Sequence, residues 1–120
     1  MATPDSDPEN RPTSIRDLRW SAAEKKVARQ SFDRALHREF GAVIHETQRR
    51  AAAIKQPSNL WDLEDYLRER RKDIDARYDY RYSVLLFVFA DLISTGRLRE
   101  EELHGLSEDK LDHIRALASR

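Results

Sequence analysis

No cysteine occurs among the 120 residues, which excludes disulfides, thiol catalysis and thiolate metal ligation. Glycine is almost as scarce: three positions leave no material for a phosphate-cradling loop. An excess of charge of one sign is missing too. Twenty-two basic residues meet 22 acidic ones, so no long-range attraction to nucleic acid or to an anionic membrane surface is expected. Long apolar runs are absent. The longest, Val84–Ala90, falls far short of the roughly 20 residues that span a bilayer, and the N-terminal MATPDSDPENRPTS has no hydrophobic region of signal-peptide type. No membrane insertion and a cytoplasmic location are the expectations.

Constellations that could carry chemistry are thin. His37, His45, His104 and His113 include no pair three or four residues apart, so no metal site is expected. Asp73, Asp75 and Asp79 lack the central glycine and terminal glutamate of a calcium loop. Glu64 and Asp65 are adjacent carboxylates, but they fall in the first turns of a helix, where the helix dipole explains acids better than acid–base catalysis does. No catalytic residue and no cofactor is expected.

What is present is charge, 37% of the chain, laid over helical periodicity. Residues 1–17 hold proline and acids with little to bury and read as a disordered tail; residues 18–120 read as one all-α domain. Ser21-Ala22-Ala23-Glu24 is a capping-box pattern, and the following helix meets no proline until Pro57. Ala28, Phe32, Leu36, Phe40, Val43, Thr47, Ala51 and Ile54 line one side at a mean spacing of about 3.7, which suits a nearly straight helix. Such a helix, about 50 Å long, overhangs any compact fold of this size. A second copy packed antiparallel would cover the overhang, so a homodimer is expected, with residues 18–78 as its long helices and 79–120 as a helical head. The expected interface takes Phe32, Leu36, Phe40 and Val43 from the first helix and Leu60, Leu67 and Arg71 from the second.

The second helix follows Pro57, with Ser58 or Asn59 as its expected cap. Leu60, Leu63, Leu67, Ile74 and Tyr78 form its stripe, interrupted by Arg70 and Arg71 where hydrophobes would stand. A guanidinium on such a stripe must be paired or wait for a partner. RYDYRYS alternates like a strand, yet no other segment offers a partner strand, so it reads as a helix–helix corner with Asp79 or a neighbour as the next cap. Val84–Ile93, apolar all round and closed by Gly96, reads as a buried helix. A short turn at Glu100–Leu103 and a last helix opened by Ser107 complete the chain. Trp61, Asp65 and Arg71 remain as a constellation with two readings: a packing tryptophan beside an Asp65–Arg71 ion pair, or a protein-binding patch, since Trp and Arg dominate interface energies.

The stretch LWDLEDYLRERRKDIDARYDYRYSVLLFVFADLI, with Trp20-Ser21, EEL at Glu101–Leu103 and IRALA at Ile114–Ala118, resembles the fluorescence recovery protein family across roughly residues 20–120. The resemblance implies an all-helical homodimer without cofactor or enzymatic activity. It implies binding to photoactivated orange carotenoid protein through that protein's C-terminal domain, which speeds the red-to-orange return and ends photoprotective quenching. The implied binding residues are Trp61, Asp65, Arg71 and Phe87. Glu64 stands where many cyanobacterial members carry His, and near the last helix Lys110 keeps the family's basic character while His113 replaces a common Lys. Glu64 and Lys110 therefore join the candidate binding set. These departures keep a second client open: the same dimeric scaffold serving a different protein, in signalling or stress, in a bacterium without phycobilisomes.

Overall fold

The computed structural model describes residues 18–120; the expected tail, residues 1–17, lies outside the described residues. The described chain is all-helical: α1 (Ala22–Ala52), α2 (Pro57–Arg77), α3 (Leu85–Ser94), a 3₁₀ turn (Glu100–Leu103) and α4 (Glu108–Ala118). Among the described residues there is no strand beyond an isolated bridge between His104 and Leu106, and no helix is long and apolar enough to cross a membrane.

The capping box forms as its sequence dictates. Ser21 Oγ accepts from the Glu24 amide at 3.1 Å, and the Glu24 carboxylate accepts from the Ser21 amide at 3.0 Å. From there α1 runs 31 residues, about 46 Å. Its partner α2 starts two or three residues earlier than expected. Gln56 is the N-cap and Pro57 takes the first helical position, where a missing N–H costs nothing. Asn59 still contributes, because its side-chain oxygen accepts from the amides of Lys55 and Gln56 at 3.0 and 3.2 Å. The helix then folds back along α1: the Arg50 guanidinium lies over Tyr66, Arg70 pairs with Glu39, and the Tyr78 hydroxyl donates to Glu39 at 2.9 Å. As α2 advances its partners on α1 recede, so the two helices are antiparallel.

The RYDYRYS alternation has a physical outcome other than a sheet. Tyr78, Tyr80 and Tyr82 all turn onto α1. Tyr78 and Tyr80 meet Phe32 edge-on at 5.5 and 4.9 Å, Tyr80 meets Tyr82, and Tyr82 meets Trp20. Arg29 lies over Tyr80 at 4.5 Å, adding a cation–π contact. Asp79 is no cap; Arg81 holds its carboxylate at 2.6 Å, and α3 begins at Leu85 with Val84 at the N-cap and no side-chain capping bond.

The core sits where α3 and α4 close on the N-terminal half of α1. Ala28, Phe32 and Ala35 of α1 pack with Leu85, Leu86, Phe89 and Leu92 of α3, Leu103 of the 3₁₀ turn, and Leu111 and Ile114 of α4. Each large side chain buried here contributes about 1.5–3 kcal/mol. Gly96, at φ 74°, turns the chain out of α3. Gly105 is required twice over: its φ is 116°, and a Cβ there would meet Val27 at 2.7 Å. Arg38 then fastens the 3₁₀ turn to α1 by two 3.0 Å bonds to Glu102.

Glu24 does double duty. Besides capping α1, its carboxylate accepts from the Ser107 amide at 2.9 Å and from Lys110 Nζ at 3.2 Å, linking the start of α1 to the start of α4. Burial pushes its pKa up, but the amides of Ser21 and Ser107 and the Lys110 ammonium outweigh burial and hold it at about 2, against an ordinary 4.5. A depressed carboxylate pKa stabilises the fold above the unfolded value, and that contribution is lost as pH falls from about 4.5 towards 2. Glu24→Gln is therefore expected to cost at least about 2 kcal/mol at pH 7. In urea titrations at stepped pH, the gap between native and variant chains should close across that acid window.

Candidate functional site

The described surface exposes large hydrophobic side chains on α1 (Phe40, Ile44), on α2 (Leu60, Trp61, Leu67), at the corner (Tyr82) and on α3 (Phe87), and α2 carries the most. The helix divides its circumference in three. Leu63, Tyr66, Arg70 and Ile74 face α1. Leu60, Leu67 and Arg71 form one edge, and Trp61, Asp65, Arg68 and Lys72 form the outer face, about 100° further round.

On the outer face Trp61 is 63% exposed, an unusual position for the side chain with most to gain from burial. Glu64 and Asp65 share one cation: Arg68 lies 3.0 Å from Glu64 and 3.4 Å from Asp65. These exposed pairs add little stability, of the order of 0.3–0.5 kcal/mol each. The expected Asp65–Arg71 ion pair is not formed. Arg71 is 87% exposed at its side chain and reaches only Asp75, at 3.9 Å, so it holds no helices together.

The edge of α2 continues onto α1 as one apolar face. Phe40 and Ile44 of α1 and Leu60 and Leu67 of α2 are all exposed, and Phe40, Val43, Leu67, Arg71 and Ile74 line a groove of about 340 Å³. Two residues expected at an intermolecular interface are placed differently. Phe32 is 4% exposed and belongs to the chain's own core, held by Tyr78 and Tyr80. Leu36 packs partly buried against that same core. Ile44, 57% exposed, was missed; it lies one turn after Phe40 and breaks the stripe drawn through Val43.

Phe87 is the large hydrophobic side chain of α3 that stays exposed, at 39%, while its helical neighbours on both sides are buried. It lines a second groove, of about 410 Å³, with Val84, Val88 and Asp91 of the head and Asp73, Ala76 and Arg77 of α2. Trp61 and this groove do not meet within the chain. Sixteen residues of α2 separate Trp61 from Arg77, about 24 Å. Lys110 is a clear correction: at 4% exposure, bonded to the Arg19 carbonyl and Glu24 and lying over the Trp20 ring, it is an internal strut and not a binding residue. Among the described residues no cluster of three potential metal ligands occurs.

Residues 20–118 match the family model described as photoprotection regulator fluorescence recovery protein. The chain is 42% identical over 99 residues to the fluorescence recovery protein of Synechocystis sp. (strain ATCC 27184 / PCC 6803 / Kazusa), which is 82% of this chain and 91% of that one. It is similar to the solved structure of the Fremyella diplosiphon fluorescence recovery protein, with TM-score 0.81 and 42% identity over 85% of this chain and all of that one. The Synechocystis sp. PCC 6803 structure agrees as well, with TM-score 0.81 and 41% identity over the same shares.

The surface and the strut make opposite predictions. Trp61→Ala should change unfolding free energy by no more than about 0.5 kcal/mol. Lys110→Met, which leaves Glu24 buried without its cation, should cost about 3 kcal/mol or more in the same urea titration.

Proposed function

The chain belongs to the fluorescence recovery protein family of photoprotection regulators, and from that membership we propose that it binds photoactivated orange carotenoid protein, through that protein's C-terminal domain, and accelerates its red-to-orange relaxation. It acts in the cytoplasm, as a homodimer, without cofactor or catalytic chemistry. The observation that carries the reading is Trp61: a large aromatic, 63% exposed, supplies contact area that the fold itself does not use.

The homodimer is supported by the open apolar face of Phe40, Ile44, Leu60 and Leu67, with Val43 and Arg71 at its groove. A contiguous apolar patch of this kind marks an interaction site. A two-fold axis through such a face pairs it with its own copy, and antiparallel pairing about the level of Leu67 carries the Trp61 end of one chain towards the Arg77 end of the other. Two patches that lie about 24 Å apart along one α2 thereby come within reach of one client. Trp61, Asp65 and Arg71 with Phe87 form the proposed contact set, and Glu64 flanks it.

Acceleration requires differential binding. The regulator must hold the separated domains of its client in an arrangement nearer the transition state for closure than the open state is, and must bind the closed product weakly. A contact set carried on helices suits that task because the backbone that presents it need not reorganise on binding. A second reading has one specific observation behind it. Glu64 joins Asp65 around Arg68 and makes the outer face more acidic, as a client other than the carotenoid protein could require.

The deciding experiment follows dark recovery of a photoactivated orange carotenoid protein with and without this chain. Faster recovery at substoichiometric ratios is expected, and Trp61→Ala or Arg71→Leu should weaken complex formation about tenfold or more while leaving the helical fold intact. Unchanged recovery with the intact wild-type chain would assign the scaffold to another protein.

A further inference from the structure

Five side chains of alternating charge run across three helices: Glu39 on α1, Arg70, Asp73 and Arg77 on α2, and Asp91 on α3. Arg70 pairs with Glu39 and reaches Asp73 Oδ2 at 2.9 Å. Arg77 approaches the same Asp73 oxygen at 3.2 Å through Nη1, and through Nε it bonds Asp91 Oδ2 at 2.8 Å. The ladder is anchored at its α1 end, where Glu39 also accepts from Arg97 at 2.7 Å and from the Tyr78 hydroxyl at 2.9 Å. At its other end stands Asp91, four residues and one helical turn beyond Phe87 on the same face of α3.

Apolar packing does not fix α3 against α2. The only side chain that α2 buries fully is Ile74, and the residues it offers to the groove beside Phe87 are Asp73, Ala76 and Arg77. The separation of the two helices at this corner is therefore set by the guanidinium that spans it. Arginine suits the role because its planar fork engages two carboxylates at once in fixed directions, which an ammonium cannot do.

We propose that Arg77 is a positioning residue: by bridging Asp73 and Asp91 it fixes the face of α3 that carries Phe87, and so sets the ring for the protein partner. The partner in this statement rests on the proposed function; the placement of the ring does not. Arg77 itself need not touch the client.

The test separates the two. The full chain is prepared with 4-fluorophenylalanine at its four phenylalanines, and the Phe87 resonance is assigned by Phe87→Leu. Arg77→Gln and the nearly isosteric Asp91→Asn are each expected to shift or broaden that resonance and to leave the Phe40 resonance in place. Each should weaken binding of the isolated C-terminal domain of an orange carotenoid protein about five- to tenfold, and the double variant should be no weaker than the worse single one, because the two side chains act as a unit. An unmoved Phe87 resonance in both variants overturns the proposal. A moved resonance with unchanged affinity, in a wild-type chain that does bind, overturns it equally. If the wild-type chain does not bind that domain, the proposed function fails and the fluorine spectrum alone decides the role of Arg77. Should Arg77→Gln lose its helical circular dichroism, Asp91→Asn alone carries the comparison.

Discussion

Glu39 is the joint on which the molecule turns. It lies where α1 passes from one duty to another: before it, the helix packs into the core with α3 and α4; after it, the helix runs on against α2. Its carboxylate takes donors from α2 (Arg70), from the corner (Tyr78) and from the segment after α3 (Arg97). Burial works against the charged form, but the Tyr78 hydroxyl and the Arg97 and Arg70 guanidiniums prevail, so its pKa lies below the ordinary value. Burial, with the same contact second to it, pushes the Tyr78 hydroxyl up. A buried carboxylate with one partner fewer would be a liability, since an incompletely matched internal charge costs several kcal/mol. With its partners in place it holds three segments at one point without a large apolar side chain.

That joint divides the surface. The head half of α1 is saturated by its own chain, whereas Phe40 and Ile44 beyond the joint, with Leu60 and Leu67 opposite, remain uncovered. The proposed second copy belongs to this half. The proposed client belongs to the outer face of α2 and to the groove beneath Phe87. Charge is used differently in the two places: Arg70 and Arg77 are enclosed and bridge carboxylates, while Arg68 and Arg71 are exposed.

Local rules written in the sequence carry most of the fold. Ser21-x-x-Glu24, Pro57, Gly96 and Ser107 mark helix ends by mechanisms that act within four residues, and they are obeyed to within a residue or two. What could not be read depends on contacts distant in the chain. Arg70 and Arg71 are indistinguishable by type, yet one meets Glu39, 31 residues away, and the other meets solvent. Lys110 looks like a surface cation because lysine almost always is one; Glu24, 86 residues away, with Arg19 and Trp20, makes it internal. Phe32 lies on the same stripe as Phe40, and the tyrosine corner that claims it for the core shows in the sequence only as an alternation without a partner strand. Of the candidate binding residues, those on α2 could be found from helical spacing. Asp73, Arg77 and Asp91, which frame Phe87, are ordinary charged residues until α2 and α3 are brought together.

The proposed second copy and the proposed client use different surfaces, and site-directed spin labelling tells the two apart. The chain contains no cysteine, so Ile44→Cys, on the open apolar face, and Lys72→Cys, on the outer face of α2 but outside the proposed contact set, each give a single label and leave Trp61 in place. At micromolar concentration the label at position 44 should be immobilised and become mobile on dilution. The label at position 72 should stay mobile at every concentration until the carotenoid protein's C-terminal domain is added. A label at 44 that is mobile throughout, or one at 72 that is immobilised by self-association alone, would contradict this division.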